Sequence, residues 1–162
     1  MKKASKILCL VGGILGLVLA VLWLSLSILW FVRAGLLTAY ANGGEVSEAF
    51  KEWTIRWVEA HGYYYSSWET VVGVWTGKAV GYLIQMLLAI PSAIIAFILR
   101  GKEKTGLPLP IVLAVLSIYP GNIAAFAGAA LAIVNWAIVE RKEGQQPAEE
   151  KKEEQPEEPK AE

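Results

Sequence analysis

Apolar residues along this chain fall into long blocks separated by short polar connectors, and the block lengths predict an all-α fold. The first block, Ile7–Val32, runs 26 residues without a charge behind Lys2, Lys3 and Lys6. As a helix it would be about 39 Å long, enough to cross a hydrocarbon layer of about 30 Å with some tilt. A cleaved leader is the competing reading. The run is longer than a leader's apolar core and no small-residue cleavage pattern comes after it, so a retained span over 7–32 is expected. Gly12, Gly16 and Ala20 lie four apart within it, a stripe that admits close approach of another helix. Trp30 and Phe31, just before Arg33, have the character of an interfacial anchor.

The pattern then becomes amphipathic. Val46, Phe50, Trp53, Trp57 and Ala60 recur at spacings of 4, 3, 4 and 3, which predicts a helix over about 45–61 with one apolar face. Glu48, Lys51, Glu52, Arg56 and Glu59 take the opposite side, and Glu52→Arg56 is the favourable i,i+4 order. Asn42 with Glu45 is the expected start, and His61 with Gly62 the expected stop. Such a helix is too polar to span. It suits the membrane interface or a seat on the protein's own spans.

After Tyr63, Tyr64 and Tyr65, the sequence Ser66-Ser67-Trp68-Glu69 reads as a capping box with Ser66 as the cap. From Trp68 the 4-3 spacing continues through Val72, Trp75, Ala79, Tyr82, Met86, Ala89, Ala93 and Ala96. This predicts one helix of about 33 residues, roughly 50 Å, whose span covers 71–99 and whose outer turns project from the bilayer. Gly73, Gly77 and Gly81 form a double GxxxG stripe that suggests packing against another helix, and Pro91 is expected to kink the helix.

Arg100–Gly106 is a basic connector. Leu107–Val139 is apolar throughout, and Tyr119-Pro120-Gly121-Asn122 divides it: Pro then Gly suits a type II turn, with Asn122 capping the next helix. The expectation is a third span over 107–119 and a fourth over 123–139. The third is short for a crossing, so a re-entrant hairpin and one kinked helix stay open. Ala124, Gly128 and Ala132 repeat the small-residue spacing. The whole of 1–142 then reads as one integral membrane four-helix bundle with an extracytoplasmic amphipathic helix between spans one and two. Residues 143–162, rich in Glu, Lys, Gln and Pro, read as a disordered acidic tail.

Charge sharpens the topology. The formal net charge of zero hides basic residues beside the spans and acidic ones in the tail. Lys2, Lys3 and Lys6, the 100–106 connector and Arg141-Lys142 all belong on the cytoplasmic side by the positive-inside rule. Both termini are then cytoplasmic and residues 33–78 extracytoplasmic, in a multi-pass cell-membrane protein.

The chemistry is sparse. Asp is absent, Cys9 is the only cysteine, and the intramembrane portions carry no charged side chain, which argues against ion-coupled transport. Gln85 and Asn135 are the polar groups expected inside the membrane, where hydrogen bonding to a neighbouring helix or lining a polar path are the two readings. His61 with Glu59 and Glu69 is a poor metal-ligand set, and no nucleophile–base spacing or phosphate-binding loop occurs. No metal, no cofactor, no catalytic residue and no nucleic-acid partner are therefore expected. Phe50, Trp53, Trp57, Tyr63, Tyr64, Tyr65, Trp68 and Trp75 concentrate in one segment. They suit the membrane interface or a partner-binding surface, with Trp53 and Trp57 meeting either the Trp68/Trp75 face or the glycine stripe.

From Val80 onward the order is span, basic connector, short apolar span, Pro-Gly and a Gly/Ala-rich span. With Val11-Gly12-Gly13-Ile14-Leu15-Gly16 in the first span, about half of the chain resembles small prokaryotic four-span membrane proteins of unknown function. The long first outer loop is similar in layout to claudin-type tetraspans. The paired loop cysteines of that family are missing, so neither its disulfide nor its junctional role is implied, and no functional residue carries over. The expectation is a non-enzymatic membrane scaffold or accessory protein that associates with itself or another membrane protein; the alternative is a small oligomeric channel or permease.

Overall fold

A computed structural model of the chain describes residues 3–63, 66–102 and 106–143, the side chains of 140–143 excepted. Tyr64, Tyr65 and the 144–162 part of the acidic tail lie outside the described residues. Among those described there are five helices and no strand: α1 Lys3–Ala41, α2 Glu48–Ala60, α3 Trp68–Gly101, α4 Pro108–Ile118 and α5 Ile123–Glu143. The all-α expectation holds. α1 is longer than its charge-free run: it continues nine residues beyond Val32, since nothing from Arg33 to Ala41 breaks a helix until Gly43. α3 runs through Pro91 as one helix.

Three glycines with positive φ, Gly43, Gly62 and Gly121, end α1, α2 and α4 in the same way. At each, the glycine N–H bonds the carbonyl three residues back and the next N–H bonds the carbonyl five back, the Schellman arrangement. This corrects three local readings. Asn42 does not cap α2; it belongs to the last turn of α1, its N–H donating to Thr38 O at 3.1 Å, and Ser47 caps α2 instead. Ser67, not Ser66, caps α3: its Oγ accepts from Thr70 N–H at 3.4 Å. The Pro120-Gly121 reversal is no type II turn: Asn122 N–H donates to Ser117 O at 2.9 Å. Asn122 does cap α5, Oδ1 accepting from Ala125 N–H at 3.1 Å.

α1 and α3 pack antiparallel along most of their length. A Cβ on Gly13 would lie 2.8 Å from the Phe97 ring and one on Gly16 2.9 Å from Ala93 Cβ. Further along, Ser27 Oγ donates to Ala79 O at 2.8 Å. α5 packs on α1 through small residues: a Cβ on Gly12 would come within 2.5 Å of the Ala125 backbone, and one on Gly128 within 3.0 Å of Cys9. Ser5 Oγ donates to Gly128 O at 3.0 Å. Cys9, Ala96, Leu99, Leu113, Ala125 and Ala129 form the core of this four-helix region. Ala20 and Ala132 are buried and Ala124 half-buried.

The hairpin of α4 and α5 does not run the length of α1. Its tip is fixed where Asn122 Nδ2 donates to Gly12 O at 2.7 Å, at the level of Gly12 and Gly16. Beyond Gly16, α1 continues for about 37 Å, about 24 Å of it charge-free. Four helices thus pack together only in the part nearest the start of α1; beyond it α1 and α3 continue as a pair. Those two are the helices long and apolar enough to cross a membrane, at 39 and 34 residues. Only 28% of each most apolar window is buried within the structure. A core helix of a water-soluble protein would be mostly covered.

Candidate functional site: an aromatic cap

The far ends of α1 and α3 form a two-helix stem, and α2 lies on it. The spacing of Phe50, Trp53 and Trp57 sets these rings on one face of α2, and the Gly62 reversal turns Tyr63 back onto Trp57, stacked at 5.7 Å. Trp75 of α3 is fully buried at the centre. Its ring lies 5.3 Å from Trp57, 5.5 Å from Trp53, 5.8 Å from Trp30 and 6.3 Å from Phe50. Ala34, Leu37 and Val71 close the base of this second core, and Tyr40 stands against Trp68 at 5.9 Å. His61 stacks on Trp57 at 4.2 Å, its Nδ1 2.8 Å from Trp57 O.

Trp75 Nε1 is buried without an acceptor among the described residues. An unmade hydrogen bond of this kind costs about 1–3 kcal/mol. Burying a Trp side chain of about 150–250 Å² contributes about 4–6 kcal/mol. Apolar burial therefore dominates, and the cap is held by ring packing.

Two cations border the rings. The Arg33 guanidinium lies 4.0 Å from the Trp53 ring centre and 5.3 Å from that of Trp30. Lys78 Nζ lies 4.8 Å from the Trp30 centre and 4.9 Å from that of Trp57. Partial burial pushes the Arg33 pKa down. Among the described residues neither cation has a carboxylate within 4.0 Å; the ion pairs are Lys51–Glu48 and Arg56–Glu52, both within α2.

Of the residues singled out from sequence, Phe50, Trp53, Trp57, Tyr63 and Trp75 come together in one cluster with Trp68 at its edge. Trp53 and Trp57 meet Trp75 rather than the glycine stripe: a Cβ on Gly73, Gly77 or Gly81 would meet nothing within 4 Å among the described residues. Gln85 is half-buried, its Oε1 covered and without a partner among the described residues, and Asn135 is half-buried on α5. Sequence reasoning missed Trp30 as a cap residue, and Arg33, Lys78 and Tyr40 with it. The signal that could have found them was helical register: Trp30, Arg33, Leu37 and Tyr40 recur at spacings of 3, 4 and 3 along α1, and Lys78 follows Trp75 by three residues on α3.

Among the described residues no group of three or more His, Cys, Asp or Glu gathers. A small cleft of about 30 Å³ lies between Tyr40, Phe50, Lys51, Thr54, Ile55 and Trp68, about the room of one water. No protein-family model, curated protein or solved structure matches the chain.

Proposed function

We propose that this protein is a non-enzymatic integral membrane scaffold or accessory subunit that carries its folded aromatic cap at the extracytoplasmic face. The observation that carries the reading is the open glycine stripe of α3. The cap closes on itself around Trp75, whereas Gly73, Gly77 and Gly81 meet nothing within 4 Å. Gly81 lies within the charge-free run of α3 and Gly77 and Gly73 in the turns just above it, so the stripe offers close backbone approach at the membrane's outer edge.

In this reading α1 and α3 cross the bilayer and the α4–α5 hairpin enters from the cytoplasmic side to partial depth. The make-up of the tip supports that placement. Asn122 is 1% exposed and bonded inward, while Ile118 and Ile123 are 65% and 79% exposed. A turn in water would carry the opposite pattern, and backbone irregularity at membrane depth is tolerated where its polar groups are satisfied by protein.

Replacing Gly73, Gly77 and Gly81 together by Leu tests the association. We expect loss of self-association or of co-purifying membrane protein, with the helix content unchanged. An unaltered oligomeric state and unaltered co-purification would reject this face as the assembly surface. The second reading, a small oligomeric channel, is favoured by the unpartnered Gln85 Oε1. Liposomes carrying the protein that pass neither ions nor small polar solutes would dispose of it.

A further inference from the structure

We propose that Arg33 and Lys78 form a binding site for a phosphate oxyanion at the outer edge of the bilayer, supplied by a phospholipid headgroup or by free phosphate. The proposal rests on the membrane reading above and adds a ligand to the cap. Arg33 ends the charge-free run of α1, and Lys78 immediately precedes the charge-free run 79–99 of α3. In the antiparallel pairing Ala79 stands level with Ser27, so Lys78 lies about 7.5 Å along the α1 axis from Arg33, with the level of Trp30 between them. Both charged groups lie within 5.3 Å of the Trp30 ring centre, so they are at most about 10 Å apart. In the proposed site the phosphate lies beside that ring, with oxygens directed to each cation.

The two side chains are held in place and their charges are not neutralised. Ring stacking on Trp30, Trp53 and Trp57 fixes the cations, while no side-chain hydrogen bond or carboxylate within 4.0 Å engages either one among the described residues. The guanidinium retains its edge N–H donors when its face lies on a ring. Cations left without an acidic partner beside apolar surface attract an anion, and charge-assisted hydrogen bonds to phosphate are the strong kind. Tryptophans at the same level match the headgroup boundary, where a lipid phosphate resides.

The test uses the full chain and the double variant Arg33→Gln/Lys78→Gln in nanodiscs of phosphatidylcholine with phosphatidylglycerol, and in detergent with inorganic phosphate. Native mass spectrometry reads retained phosphatidylglycerol, and tryptophan emission reads phosphate binding and cap integrity. We expect wild type to retain the anionic lipid at least about tenfold better than the double variant, one lost charge-assisted bond being worth about that factor. The charge-preserving swap Arg33→Lys/Lys78→Arg should retain it. If inorganic phosphate instead shifts the wild-type emission, the variant does not respond and no lipid is retained, the site stands with free phosphate as its source. Equal lipid retention and equal phosphate response in wild type and double variant, with the cap emission unchanged, would overturn the site. Failure of wild type itself to enter bilayers is a separate outcome that overturns the membrane reading, and with it this lipid-edge site.

Discussion

At the residue scale, the glycines divide by what surrounds them and not by their spacing. Gly12 and Gly77 both sit in small-residue stripes. At Gly12 an added Cβ would lie 2.5 Å from Ala125 Cα and N, and the same turn of α1 receives the Asn122 side chain. At Gly77 it would meet nothing. We therefore expect Gly12→Ala to destabilise the detergent-dispersed monomer by about 1–3 kcal/mol, the usual cost of forcing atoms into a packed interface. Gly77→Ala should be neutral or stabilise by up to about 1 kcal/mol, through helix propensity. Unfolding in SDS followed by tryptophan fluorescence compares the two. The same logic applies to Asn122, which caps α5 and ties it to α1 with one side chain. Asn122→Ala removes both bonds and should cost about 1–3 kcal/mol in the same assay.

At the scale of elements, the amphipathic spacing of α2 and the run through α3 were legible because period 3.6 is a strong signal over long stretches. Boundaries were less so. At Asn42 and at the Pro120-Gly121 reversal, local residue type points one way and a hydrogen bond of the preceding helix end decides otherwise. At Ser66-Ser67 two adjacent serines are alike by type, and the second makes the cap bond. The aromatic residues of α2 were readable as a face, but their seat was not. It depends on α1 continuing past Arg33, which a hydropathy boundary hides. Trp75 joins the three helices at this seat. Trp75→Ala should cost about 3–5 kcal/mol, the range for a buried aromatic, and release α2 while α1 and α3 stay helical. Hydrogen exchange should then rise across 48–60 with little change across 79–99. Equal protection of 48–60 in variant and wild type would show that α2 is held by something other than this ring.

At the scale of the whole molecule, the membrane reading proposed above turns on how far the α4–α5 hairpin would reach. A four-span reading places Tyr119 in water on the outer side. A partial-depth hairpin places it within the hydrocarbon, at the level of Gly12 to Gly16 in α1. Length alone does not decide, since α4 has 11 residues, about 16 Å as a helix, and α5 could cover the thickness by itself. The tip's own chemistry favours depth: Tyr119 is exposed beside Ile118 and Ile123, and the one amide nearby is turned inward. With Cys9→Ser as background, single cysteines at Ser66 and Tyr119 separate the two arrangements through a membrane-impermeant maleimide. We expect Ser66→Cys to label from outside intact cells and Tyr119→Cys to label from neither side until the membrane is dissolved. External labelling at Tyr119 would restore the four-span arrangement. In either arrangement the two chain ends share one side, because two or four crossings return the chain to its starting face. Labelling at Tyr119 therefore isolates hairpin depth from orientation, which Ser66 reports on its own.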